Sequence, residues 1–238
     1  MGLLLLDLDD TLLDTSGQLA PQAHREAVLA MMAAGLPGDF ATLLQQRRDL
    51  MGEVPPELLA QAQIALYPQL SNPGSVAESG RRAYFERDVG DIHLEAGVME
   101  MLRRLKLRHS LILVTAGHQA TQWQKVTRLG LDWLDEIHIV ESGKPSKQLC
   151  FAEITTRLGF PPHQVCVVGD RPDVEIAAGR ALGMWTLRVC RGEHVLRSAQ
   201  PGEEAHLEVQ TVLEIERGVA RLELQQLHRL GGLDPHQT

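Results

Sequence analysis

"LLLLDLDDTLL", residues 3 to 13, places three aspartates directly behind four consecutive leucines. Leu3 to Leu6, with Leu8, read as a short strand buried on both faces, the pattern of a parallel sheet covered by helices. Such a strand has no structural use for charge at its end. In open parallel sheets ligands sit beyond the carboxyl ends of the strands, so Asp7, Asp9 and Asp10 are candidate reactive groups on a rigid mount.

The rest of the chain supplies partners for that strand. "LILVT" (111–115), "EIHIV" (136–140), "VCVVGD" (165–170) and "MWTLRV" (184–189) are further short apolar runs. Between them lie helical patterns: Val98, Met101, Leu102 and Leu105 share one face, as do Phe151, Ile154 and Leu158. Strands alternating with helices of this length predict a doubly wound (Rossmann-like) α/β domain with a parallel sheet of at least five strands. "HLEV", near residue 207, is a candidate edge strand, and residues 212–230 a closing helix.

Residues 16–91 differ in kind. "PQAHREAVLAMMAAGL", "ATLLQQRRDLM", "PPELLAQAQIALY" and "VAESGRRAYFERD" all read helical, with Pro and Gly between them and no strand signal. The expected organisation is a discontinuous α/β core of residues 1–15 and 92–238, with an α-helical domain of residues 16–91 inserted after the first strand.

Composition narrows the partners. The 238 residues are 44% apolar and carry a net charge of −8, which argues against a nucleic-acid backbone or an anionic membrane surface. No segment approaches the ~18 apolar residues that span a bilayer. The three cysteines, Cys150, Cys166 and Cys190, lack metal-type spacing and read as reduced thiols, which favours the cytoplasm. A monomer or a homodimer is expected. His24, His93, His118 and His138 are scattered and read as surface residues, and Trp123 and Val126 as core. Arg81, Arg82 and Arg87 read as a solvated helix face balanced by Glu78 and Glu86, with contact to a substrate as the alternative.

The polar residues gather at strand ends. Asp7, Asp9 and Thr11 follow the first strand, Thr115 and Ala116 the second, Gly169 and Asp170 the fourth, and Lys144 trails the third by four residues. Carboxylates, a hydroxyl and an ammonium would converge there, which by chemical type is a site for a hard cation and a phosphate. With "DLDDT", Thr115, the Lys144-Pro145 pair and "VVGDRPDVEIAAGRALGM", the chain resembles the haloacid dehalogenase-like (HAD) hydrolase superfamily over residues 1–190, and the helical insertion is similar to that family's cap.

The resemblance implies a Mg²⁺-dependent phosphatase acting on a small phosphate ester. It makes Asp7 the nucleophile and Asp9 the acid and base, and it assigns Thr115, Ala116 and Lys144 to the phosphoryl oxygens. Mg²⁺ would be held by Asp7, Asp170 and the backbone carbonyl of Asp9. The family leaves the position of Asp10 free, and that residue reads as solvated or capping. One departure stands out: the last motif usually ends in aspartate, and here that place is Glu175, with Asp173 as the alternative outer carboxylate. Lys147, one turn beyond Lys144, is the alternative ammonium. A phosphomutase of the same fold and a catalytically silent HAD-like binding protein are the competing functions. Phosphonate hydrolysis of the family type needs a cap lysine, and residues 16–91 contain none.

Overall fold

The computed structural model of the protein describes residues 1–51, 54, 56–142 and 144–230. Six strands, β1 (Leu3–Leu6), β2 (Ser110–Ala116), β3 (Glu136–Val140), β4 (Val165–Gly169), β5 (Trp185–Val189) and β6 (Leu207–Val209), form one sheet in the order β3-β2-β1-β4-β5-β6. Every pairing is parallel. This is the doubly wound sheet expected from the alternating pattern, and "HLEV" supplies the sixth, edge strand.

The leucine run is the centre of that sheet. Leu6 pairs with Leu113 of β2 on one side and Val168 of β4 on the other. Successive side chains point to opposite faces. Leu4 and Leu6 accordingly enter one apolar cluster with Leu102 and Leu113, while Leu3 and Leu5 enter a second with Phe151 and Val167. All four are buried, each worth about 1.5–3 kcal/mol relative to exposure. Because the connections from β1 run to β2 on one side while β4 lies on the other, the topological switch point falls at the β1–β4 boundary.

Ten α-helices complete the chain among the described residues: α1 (Thr15–Gln18), α2 (Ala20–Ala33), α3 (Phe40–Leu50), α4 (Leu59–Ala65), α5 (Pro73–Phe85), α6 (Val98–Lys106), α7 (Gln119–Arg128), α8 (Lys144–Leu158), α9 (Ala177–Ala181) and α10 (Ile215–Leu230). Helices α2 to α5 pack around their own apolar cluster of Val28, Met31, Leu43, Ala60 and Val76. Local signals account for their ends. Pro21 and Pro73 occupy first-turn positions, Asp39 caps α3 by accepting from the Thr42 amide at 3.0 Å, and Gly35 leaves α2 with φ +109°. A Cβ at Gly80 would meet Met31 at 2.6 Å, so the glycine is what lets α5 approach α2 so closely. No helix among the described residues is long and apolar enough to cross a membrane.

Two expectations fail. His24 is buried in the helical layer, where it meets an arginine and a tyrosine, and Trp123 is 42% exposed because α7 turns its Val126 face, not its Trp123 face, to the sheet.

Candidate active site

Asp7 leaves the carboxyl end of β1, its amide still bonded to the Val168 carbonyl at 2.9 Å, and Asp170 leaves β4 next to it. Both carboxylates are buried. The loop after Asp7 reverses tightly: the amides of Thr11, Leu12 and Leu13 all donate to the Leu8 carbonyl. Asp10 enables the reversal with φ +52°, a conformation aspartate tolerates better than most residues. Its carboxylate accepts from the amide and hydroxyl of Ser16, and its carbonyl accepts from Arg191 Nε at 3.0 Å. Asp10 is therefore a capping residue.

The ammonium that reaches Asp7 belongs to Lys147. It bonds Asp7 Oδ1 and stands 2.6 Å from Glu175 Oε1, and all three side chains are buried. Lys144 opens α8, and its side chain lies outside the described residues. Glu175 sits in a π-type turn, Pro172–Ile176, and its second oxygen accepts from the Arg171 amide at 3.3 Å. Asp173 is taken up by Arg171 at 2.9 Å and Arg197 at 3.2 Å.

Burial pushes the Asp7 carboxyl up to about 7 against the pull of Lys147, with Glu175 adding to the rise. Burial, then the carboxylates of Glu175 and Asp7, push Asp170 well above the ordinary carboxylate range. Burial opposes the charged form of Lys147, but Asp7 and Glu175 outweigh it and raise its proton affinity. Three buried carboxylates thus share one buried ammonium, a donor set short of positive charge. That chemistry suits a hard divalent cation held by two carboxylates, a backbone carbonyl and substrate oxygens. No cluster of three or more ligating side chains suited to a metal exists among the described residues.

Asp9 is held differently. Its Oδ1 accepts from Lys125 at 2.6 Å and from the Thr15 hydroxyl, and its Oδ2 accepts from Gln122 Nε2 at 2.8 Å. Burial would raise this carboxyl, but the Lys125 ammonium and the three hydrogen bonds outweigh it and hold the group below its ordinary value. Lys125 and Gln122 lie three residues apart on α7 and so share a face; that spacing, in a chain with only four lysines, was the available signal for them. Gln122 also donates to the Ala116 carbonyl at 2.9 Å. The Thr115 hydroxyl, fully buried at the end of β2, has no hydrogen-bond partner among the described residues. A phosphoryl oxygen would supply one.

The arginines on and just after α5 turn elsewhere. Arg81 pairs with Glu78 at 2.7 Å, Arg82 with Glu86 at 3.0 Å and Arg87 with Glu26 at 3.0 Å.

A family model for haloacid dehalogenase-like hydrolases matches residues 1–183. The chain is 30% identical over 203 residues to a glyceraldehyde 3-phosphate phosphatase of Methanopyrus kandleri, covering 80% of this chain and 84% of that protein. It is 28% identical to a phosphoserine phosphatase of Thermus thermophilus, over 90% and 98% of the two chains. Among solved structures, the HAD-hydrolase YfnB of Bacillus subtilis, bound to magnesium, superposes with a TM-score of 0.66 at 19% identity, covering 92% of this chain and 98% of the other. With strand order, motif placement and family match in agreement, the chain belongs to the haloacid dehalogenase-like hydrolases.

Proposed function

We propose that the protein is a Mg²⁺-dependent phosphomonoesterase that hydrolyses a small phosphate ester through an aspartyl-phosphate on Asp7. One observation carries the reading: Asp7 and Asp170 stand buried side by side at the switch point, with the Lys147 ammonium bridging Asp7 and Glu175, close to a buried Thr115 hydroxyl unpartnered among the described residues. The phosphatase names of the relatives at about 30% identity support the same reaction class.

The roles follow from the chemistry of each group. Asp7 attacks phosphorus while a protonated Asp9 gives its proton to the departing alkoxide. The ionised Asp9 then takes a proton from water, which attacks the acyl phosphate, releases inorganic phosphate and restores the Asp7 carboxylate. Thr115 and Lys147 bind phosphoryl oxygens, and Glu175 acts through Lys147 by fixing its ammonium. Asp7, Asp170 and the carbonyl of Asp9 would hold Mg²⁺, which supplies the positive charge that lets a carboxylate approach a phosphate dianion.

Helices α2 to α5 serve as the cap within the expected division at residues 16–91. Three free cysteines, two of them buried, support a reducing compartment, the cytoplasm. The test is release of inorganic phosphate from 4-nitrophenyl phosphate with Mg²⁺, lost on chelation. No turnover, or isomerisation of a sugar phosphate without phosphate release, would reject the reading.

A further inference from the structure

Among the described residues, one charged group in the helical layer has no carboxylate partner. Arg47, on α3, is 1% exposed, and its Nη1 has no hydrogen-bond partner among the described residues. Its Nε donates to Nδ1 of the buried His24 on α2 at 3.1 Å. Its guanidinium carbon lies 5.5 Å from the ring centroid of Tyr84, which itself lies 5.0 Å from the His24 ring. These partners are neutral: an imidazole lone pair and an aromatic face.

A buried guanidinium without a counter-anion is costly, which is why buried cations are ordinarily paired. Burial here draws Arg47 down to about 10, and of the described groups only the Tyr84 phenol pulls the other way. Burial, and then the neighbouring Arg47, draw His24 down to about 4. With Nδ1 accepting from Arg47, the neutral ring carries its proton on Nε2, a second donor beside the guanidinium.

The cluster is also in the right place. Tyr84 immediately precedes Phe85, whose carbonyl accepts from Thr121 at the start of α7, one residue before the Gln122 that grips Asp9. Asp9 and Glu193 both act through space on Tyr84, and Glu193 also acts on His24. Glu193 belongs to the loop after β5, its amide bonded to the Ser16 hydroxyl beside Asp10. Tyr84 and His24 therefore lie within electrostatic reach of the catalytic loops, and Arg47 is tied to both.

We infer that Arg47, flanked by His24 and Tyr84, is a cap subsite for an oxyanion on the leaving group, so that the preferred substrate is a phosphate ester bearing a carboxylate or a second phosphate. The inference rests on the phosphatase reading and adds a substrate class to it. Neutral phosphate esters of the same size lack the group that would satisfy Arg47. The carboxylate and the second phosphate offer the same oxyanion chemistry and differ in size and charge.

The experiment compares kcat/KM, in the Mg²⁺-loaded enzyme, for 3-phosphoglycerate, glycerol 3-phosphate, a three-carbon bisphosphate and 4-nitrophenyl phosphate. The first two differ mainly by a carboxylate against a hydroxymethyl group. The expected preference for the anionic ester is about 10- to 100-fold, the size of one charge-assisted hydrogen bond, expressed mostly in KM. The bisphosphate arm shows which oxyanion is taken. In Arg47→Met the preference should collapse, and Arg47→Lys should restore part of it. Turnover of the aryl phosphate with no anionic preference in the native protein, or a preference unchanged in Arg47→Met, overturns the subsite and leaves the phosphatase reading intact. Failure to hydrolyse any ester overturns both. The native comparison needs no variant, so a misfolded Arg47→Met does not protect the inference.

Discussion

Lys147 Nζ stands 2.6 Å from Glu175 Oε1, and Glu175 is the residue that replaces the family's usual aspartate. The longer side chain reaches the ammonium, and the ammonium in turn bonds Asp7. On this geometry Lys147→Met should lose about 10²- to 10³-fold in kcat, as removal of one preorganised donor does, while Lys144→Met keeps most of its rate. Glu175→Gln should lose about 10- to 100-fold by releasing Lys147. Steady-state rates of the three variants decide it: the reverse ranking of the two lysines returns the phosphoryl-binding role to Lys144.

The grip on Asp9 predicts a leaving-group signature. Asp9→Asn keeps the size and the backbone carbonyl but carries no transferable proton, and should cost about 10²- to 10⁴-fold on alkyl esters. The loss in the phosphorylation step should shrink for nitrophenol, which leaves without help. Equal losses on both ester types would remove Asp9 from the acid role.

Lys125 holds Asp9 below its ordinary value, so its removal should raise the Asp9 proton affinity. In Lys125→Met Asp9 should keep its proton to higher pH, so the basic limb of the alkyl-ester pH–rate profile, where the acid that protonates the leaving group is lost, should move to higher pH. A limb that stays in place would show that this ion pair does not set the ionisation of Asp9.

His24 and His206 are both drawn down to about 4, in each case first by burial and then by arginine charge, from Arg47 and Arg180 respectively. The depressed folded value means the unfolded chain takes up these protons first. The stability they carry is therefore complete above about 6.5, the unfolded value, and declines as pH falls toward 4. Proton NMR of the imidazoles checks this: both should remain neutral at pH 5.5, and titration near 6.5 would contradict it.

Gly179 marks how closely α9 rides on the sheet. A Cβ there would meet Thr186 Cγ2 at 2.8 Å and Val167 Cγ2 at 3.0 Å, both on stiff β-branched side chains. Gly179→Ala should destabilise the protein by about 1–3 kcal/mol, read from the urea midpoint. An unchanged midpoint would mean the helix can shift outward freely.

What the sequence made legible was whatever a period of two or 3.6 residues encodes. Leu3 to Leu6 announced a central strand because both faces are apolar, and Asp7 and Asp170 announced themselves by ending such strands. Choosing between Lys144 and Lys147 was harder, because the proline after Lys144 favours one while the position that reaches Asp7 depends on how helix α8 begins. The environments of Asp9 and Arg47 were illegible for a different reason. Lys125, Thr15, His24, Tyr84 and Arg47 lie far apart in the chain, on helices whose polar positions look solvated until their packing is known. His24 and Arg47 in particular carry no spacing signal, since they meet only where α2 crosses α3.

The central claim is that the Asp7 carboxylate attacks phosphorus, and the most direct measurement is mass mapping of protein quenched with acid during turnover of a good substrate with Mg²⁺. The peptide containing Asp7 should carry one additional phosphoryl group, labile to hydroxylamine and absent in Asp7→Asn, and a chiral phosphate ester should be transferred with net retention at phosphorus. An unmodified Asp7 peptide together with inversion at phosphorus would show that water attacks directly, and would contradict the account.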